Sequence, residues 1–337
     1  MKVLVIGGTQ FIGRFVVSKL LQNNHKVTIF HRGEHEVDFG PEVTHIHGDR
    51  KNLLNFKYEL LKRNFDALID MIPMNYKDSG MVVEIFRGRL KHSVHISSQD
   101  VYAPWIGVYT GKDLNYPIPY TENTPLRNDL FIYRGKFPPL EDYEKITVER
   151  TIMTANATGA FPATILRLPA VYGPWDNQIR EYFFIKRILD GRTRLVLGSG
   201  ADWLWQRGYV EDIASAIVLV LENPKTNGQV YNVGHHNVWT VRQLATKIAE
   251  FMDWKWEIVS FPDKILPQGF PFPYRPHIVV DTSKIRFQLG FKENFSLETG
   301  LKATIKWTLE HPPKEVIEDN FNYELEDEIY EKYKNLV

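Results

Sequence analysis

A continuous apolar run, Val3-Leu4-Val5-Ile6, stops at Gly7-Gly8, and Thr9-Gln10-Phe11-Ile12-Gly13 leads straight into residues repeating at helical spacing: Phe11, Ile12, Phe15, Val16 and Leu20. An uninterrupted apolar run reads as a strand buried on both faces of a parallel sheet. Glycines between such a strand and an amphipathic helix allow a tight reversal. They also leave the first helical amides bare, where the dipole favours an anion. Strand, glycine turn and helix in this order are the context of a dinucleotide pyrophosphate site. The competing reading is a plain strand-to-helix turn. Position, strand and helix all agree with the first.

Further strands are expected over 26–30, 44–47, 67–71 and 92–97, separated by stretches long enough for crossover helices. This implies an α/β fold, a Rossmann-type doubly wound parallel sheet. The stretch 103–140 is rich in Pro, Tyr, Asn and Gly and reads as loop. A helix over 141–157, a strand over 163–168, helices over 178–190 and 211–222, a strand over 229–233 and a helix over 240–253 follow. Prolines at 262, 267, 271, 273 and 276 mark a loop that could cover a site, and the acidic, aromatic stretch 315–331 reads as a solvated helix packed on the surface. The expected organisation is a dinucleotide-binding domain of residues 1–172 plus 208–236 and a smaller C-terminal substrate domain of 173–207 plus 237–337, with a cleft between.

Charge narrows the function. In 337 residues, Lys+Arg and Asp+Glu are both 41, so the formal net charge is zero. A dedicated nucleic-acid or membrane-surface binder would rest on excess positive charge, so neither is the expected partner. The absence of cysteine removes disulfides, thiol nucleophiles and thiolate metal sites. With no signal-like start and no apolar stretch near the ~20 residues of a membrane span, a cytoplasmic protein is expected.

Gly7, Phe11 and Gly13 resemble the Gly-x-x-Gly-Phe-x-Gly turn of the extended short-chain dehydrogenase/reductase family, the epimerase/dehydratase type, with Gln10 in place of the middle glycine. The Gly-Gly-Thr-x-Phe-Ile-Gly variant is similar to an atypical branch that includes chloroplast RNA-associated proteins. The resemblance continues through Gly48-Asp49, Ile96-Ser97-Ser98-Gln99-Asp100-Val101-Tyr102, Arg167-Leu168-Pro169-Ala170-Val171-Tyr172-Gly173-Pro174, Arg207-Gly208-Tyr209-Val210-Glu211-Asp212, Tyr231-Asn232-Val233-Gly234 and Arg275-Pro276 to Leu289-Gly290. It implies a nicotinamide dinucleotide held by Gly7, Thr9, Gln10, Phe11, Ile12, Gly13, Arg32, Asp49, Ile72, Ser97, Lys145, Pro169 and Val171. It further implies that Ser98 hydrogen-bonds the reacting oxygen and that Arg207 and Arg275 hold the diphosphate of a nucleotide sugar. Hydride transfer at a sugar carbon is the implied reaction, and a homodimer the implied assembly.

One departure is central. The family's catalytic pair is Tyr-x-x-x-Lys on one helix, and Lys145 to Arg150 fits its lower half, but four residues before Lys145 stands Glu141. Tyr143 is only two residues before the lysine, on a different helix face. Three readings stay open: Glu141 as replacement base, a tyrosine from elsewhere in 102–143, or loss of redox catalysis. The last would make the chain a non-redox dinucleotide-binding protein with an RNA-associated or regulatory role.

The second strand ends Phe30-His31-Arg32-Gly33, with Arg32 where an acidic residue would bind the ribose 2′-hydroxyl of NAD. NADP is therefore favoured over NAD. His45, His47, His92 and His95 read as strand histidines, since no nearby carboxylate is evident, and no metal is expected. His235-His236 follows a glycine at a strand end and is expected to face the cleft. Trp203-Leu204-Trp205 reads as core or as a platform for a ring.

Overall fold

The computed structural model describes residues 1–336. The first half alternates β1 (Lys2–Ile6), α1 (Phe11–Gln22), β2 (Lys26–His31), β3 (Thr44–His47), α2 (Lys57–Lys62), β4 (Ala67–Asp70), α3 (Tyr76–Phe86) and β5 (His92–Ser98). After α4 (Trp105–Thr110) come α5 (Lys145–Ala157), β6 (Ala163–Leu168), β7 (Ala170–Tyr172), α6 (Tyr182–Leu189), β8 (Arg194–Leu197) and β9 (Arg207–Tyr209). The remainder holds α7 (Val210–Glu222), β10 (Val230–Asn232), α8 (Val241–Phe251), β11 (Glu257–Ser260), α9 (Ser283–Leu289), α10 (Leu297–Glu310) and α11 (Tyr323–Tyr333).

Seven strands form one parallel sheet in the order β10-β6-β5-β4-β1-β2-β3. The order reverses beside β1, which places a crevice outside the carboxyl ends of β1 and β4. Both faces are covered. Val3 and Val5 join a core that includes Val16 and Val17 of α1 and Ile213 and Ile217 of α7. Leu4 and Ile6 belong to the opposite core, with Val82 and Phe86 of α3 and Val148 and Ile152 of α5. Alternation across a sheet with two apolar faces is why the β1 run carries no polar residue. A third core lies off the sheet, joining α6, β8, α8 and α10 around Trp203.

The strands of the sheet stand where sequence pattern places them. The short strands β7, β8, β9 and β11, and helices α9 and α10, were not anticipated. Within 103–140, expected as loop, α4 forms a six-residue helix closed by Gly111 at φ 66. The C-terminal helix α11 is packed on the surface by one face, as expected. Its Glu326 is buried against Arg187, and Ile329 packs with Val196 and Val259. Among the described residues, no helix is long and apolar enough to cross a membrane.

Candidate active site

The glycine turn is sterically enforced. Gly7 has φ +85, and a Cβ there would meet the Ile72 side chain at 2.9 Å; at Gly13 it would meet the Gly7 carbonyl oxygen at 2.5 Å. The start of α1 is thus pressed onto the end of β1. Gln10 is the N-cap of α1, and its exposed side chain makes no capping hydrogen bond, so the first amides of the helix have no side-chain partner. Thr9 is buried, while Phe11 and Ile12 are half-buried against the β1 core. A pyrophosphate fits this turn, because the chain approaches closely where only glycine can and helix amides are left to an anion.

At the end of β2, Arg32 is exposed and pairs with Glu34 at 2.8 Å. Asp49, half-buried after β3, accepts from the Lys51 amide at 2.9 Å and caps a short helical turn. Deeper, Arg50 forks onto fully buried Asp70 at 2.5 and 3.0 Å.

The end of β5 gathers the reactive groups. Lys145 opens α5 and is buried, its Nζ donating to the carbonyls of Pro73 at 2.6 Å and Ile96 at 3.0 Å. Burial lowers its pKa to about 8, opposed by the charges of Asp70 and Asp100. Helix α5 begins at Lys145, so the expectation that Glu141 shares a helical face with it is corrected. Glu141 instead ends a separate short turn and accepts from the Gly135 amide at 2.9 Å. The intervening Glu144 is extended (φ −159, ψ 97), and alternation along extended backbone turns residues two apart to the same side. Tyr143 is therefore brought to Lys145, whose Nζ lies 5.5 Å from its ring centroid. The Tyr143 hydroxyl is close enough to Ser98 and Asp100 for both to act on its acidity; burial and Asp100 raise its pKa well above that of a free phenol.

Local anchoring explains this placement. Asn75 donates to the Asp142 carbonyl at 2.9 Å, the Glu144 amide donates to the Met74 carbonyl at 2.7 Å, and Arg127 forks onto the buried Glu144 carboxylate at 2.8 and 2.9 Å. That carboxylate also caps α5 through the Ile146 amide at 3.0 Å. Beside the Tyr143 hydroxyl, Asp100 is fully enclosed, accepts from Tyr133 at 2.9 Å and leaves Oδ1 without a hydrogen-bond partner. Burial raises its pKa. Sequence reasoning gave Asp100 no role, and Tyr133 fell within the reading of a tyrosine from elsewhere in 102–143. The polar run after β5 was the available signal for Asp100.

Other expected site residues have structural partners. Ser97 donates to Glu149 at 2.5 Å, and Glu149 holds Arg167 at 2.7 and 3.0 Å. Val171 is buried in the β1 core, and Pro169 is half-buried, packed beside Gly208. Trp203 and Trp205 stack at 4.7 Å, Trp203 within the core off the sheet. Arg275 lies 5.3 Å from the Trp203 ring, while Arg180 and Arg207 lie 5.2 and 5.8 Å from that of Trp205. Arg207 is buried against Glu181, and burial lowers its pKa to about 10. Arg180 faces Asp176 at 3.6 Å, whereas Arg275 has no carboxylate within salt-bridge distance among the described residues and its Nε has no hydrogen-bond partner. Three guanidinium groups thus face two carboxylates. His235, expected at the cleft, is buried and bonded to Tyr172 at 3.0 Å.

A family profile, the NAD dependent epimerase/dehydratase family, matches residues 3–234. The chain belongs to this family. It is accordingly an NAD-dependent enzyme of the epimerase/dehydratase type, and its Rossmann sheet is the family's. It is 28% identical over 318 residues to the chloroplast stem-loop binding protein of 41 kDa b of Arabidopsis thaliana, covering 89% of this chain and 77% of that one. A UDP-N-acetyl-alpha-D-glucosaminuronate decarboxylase of Bacillus cytotoxicus is 25% identical over 328 residues, covering 90% and 96%. In fold, the chain is similar to dTDP-glucose 4,6-dehydratase from Bacillus anthracis in complex with NAD, with a TM-score of 0.73, 19% identity, and 92% and 97% of the two chains covered.

Proposed function

We propose that this protein transforms a nucleotide sugar with a bound nicotinamide dinucleotide, using Tyr143, Ser98 and Lys145. The observation that carries this is the convergence of these three side chains at the end of β5, although the family's tyrosine position holds Glu141. A bound nicotinamide supplies a hydride acceptor and donor. Ser98 orients a sugar hydroxyl, and Tyr143 Oη exchanges its proton. The charge of Lys145 favours the phenolate, while burial and Asp100 favour the phenol, so the tyrosine rests protonated. Asp100, beside the hydroxyl, tunes that balance as a positioning residue. A substrate domain of 173–207 plus 237–337 would close the cleft over this site.

The diphosphate reading rests on Arg275, which has no carboxylate partner among the described residues and stands beside the stacked indoles; Arg207 contributes field more than a free fork, since Glu181 already counters it. Arg275→Ala is expected to weaken nucleoside diphosphate binding by about 2 kcal/mol, the scale of a charged hydrogen bond, with dinucleotide affinity unchanged. Thermal-shift titration with UDP and dTDP measures it. For the cofactor, the non-acidic end of β2 supports NADP over NAD, with Arg32 leaving Glu34 to meet the 2′-phosphate. Calorimetry should show tighter NADP(H) binding that Arg32→Asp narrows or reverses, and equal affinities in the wild type would sink the preference.

The deciding experiment compares Tyr143→Phe with Glu141→Gln in nucleotide-sugar turnover. Loss of about 10²–10⁴-fold is expected only in the first, with dinucleotide binding intact. The reverse pattern would overturn the assignment. A second reading, RNA association without redox turnover, is favoured by the Gly-Gly-Thr-x-Phe-Ile-Gly turn and the likeness to the chloroplast stem-loop binding protein. Stem-loop binding together with no turnover on any nucleotide sugar would point to it.

A further inference from the structure

We propose that His31, Glu36, His45 and His47 form a binding site for a divalent transition-metal ion of the zinc class. The site stands on the outer edge of the sheet, away from the reactive groups at β5. Strands β2 and β3 run parallel with His31 opposite His47, and His45 stands two residues earlier on the same face of β3. The loop after β2 returns Glu36 over these rings. One ligand atom from each of the four residues lies within 4.8 Å of all the others.

The separations suit a tetrahedral ion. Ligand atoms about 2.1 Å from zinc stand roughly 3.4 Å from one another. His31 Nε2 is 2.9 Å from His45 Nδ1, and His47 Nε2 is 3.1 Å from Glu36 Oε1. Both pairs need to open only slightly. Closing the two pairs on one another falls to His47 and Glu36, which are exposed and free to rotate, while buried His31 supplies the fixed end. Three imidazoles and one carboxylate are a donor set for zinc, cobalt, nickel or copper, and a poor one for calcium or magnesium, which take oxygen shells.

The arrangement without an ion is two independent pairs, which makes a sharp alternative. The Gly33 amide donates to His31 Nδ1 at 3.2 Å, so the proton of a neutral His31 sits on Nε2 and points at His45. An ion entering between the rings takes the place of that proton. His31 then carries its proton on Nδ1 and gives up the Gly33 contact. Four protein ligands leave no open position, so the ion is structural. It ties the loop 32–43 to the sheet edge, and this inference does not depend on which dinucleotide or sugar the enzyme uses.

The full-length protein, stripped with a chelator, is titrated with Zn²⁺ by calorimetry and with Co²⁺ by visible absorption. One ion per chain is expected, with the visible bands of tetrahedral Co²⁺ and a melting temperature that rises with zinc concentration. His47→Ala and Glu36→Gln, both at exposed positions, and His45→Ala should each weaken binding about tenfold or more, the least that disturbing a metal's surroundings costs. His311→Ala, at an exposed histidine packed on Trp307, should bind as the wild type does. Unchanged circular dichroism in His47→Gln, with the same loss of binding, separates ligation from folding. No saturable binding, a Co²⁺ spectrum of fully hydrated ions, or binding that survives the His45→Ala/His47→Ala double variant would overturn the site.

Discussion

At Lys145, burial and neighbouring charge pull in opposite directions. Enclosure strips water from the ammonium, two carbonyls replace part of it, and Asp70 and Asp100 supply distant negative charge; the balance is a pKa of about 8. Turnover should therefore fall as pH rises through about 8, when Tyr143 loses the cation that favours its ionised form. Stability moves the other way. The unfolded lysine holds its proton to about 10.4, so between the two values the unfolded chain binds more protons and this group's contribution to folding rises with pH. Urea titrations of the wild type and Lys145→Met from neutral to alkaline pH should diverge in slope across that window. Parallel curves would show that the ammonium is not held as described.

The segment 142–144 acts as one element even though it has no regular structure. Asn75, Met74 and Arg127 each fix part of it, and Tyr143 has its position only because its neighbours are held. Arg127 and Glu144 are both fully buried. Arg127→Ala strands a buried carboxylate and is expected to cost about 3–5 kcal/mol, whereas replacing both partners with leucine should cost much less. Chemical denaturation of the three variants checks this. In any variant that folds, turnover should drop further than Arg127's distance from the reacting atoms would suggest, because the α5 cap and the tyrosine move together. Helix α11 follows the same logic. Glu326→Gln leaves Arg187 uncompensated in the core off the sheet, and the melting temperature should fall, while Lys332→Gln at the exposed end of α11 should change little.

The whole molecule carries buried histidines on both sides of its sheet. His95, enclosed between β4 and β6, and His235, bonded to Tyr172, both have pKa values lowered to about 4, chiefly by burial. Unfolded, each would take its proton near 6.5. Between about 6.5 and 4 the unfolded chain binds more protons, so stability should decline steadily as pH falls through that range. Midpoints of urea unfolding measured at pH 7, 6 and 5 should step downward. His235→Gln should flatten the steps, and an unchanged slope would mean that other groups dominate acid unfolding.

Contiguous features were legible in the sequence: the seven-residue glycine turn, the apolar strands, and Lys145 with the segment after it. In each case neighbouring residues alone specify the backbone, through an uninterrupted apolar run, a steric need for glycine, or a helical period. The group that meets Lys145 was not legible. Whether Tyr143 or Glu141 meets Lys145 depends on where α5 begins, and that is set by a glutamate cap held by Arg127 seventeen residues earlier. Glutamate is not a favoured cap, so nothing in the sequence marked Glu144 as the start of the helix expected over 141–157. The histidines of β2 and β3 likewise read as separate strand residues. Only the parallel register and the return of the loop after β2 put Glu36 beside them. Sequence by itself determined the sheet, the dinucleotide turn and the lysine, because local sterics and burial decide those. Tertiary structure alone decided which side chains meet at Lys145 and at the edge histidines, because long-range ion pairs and strand register set those positions.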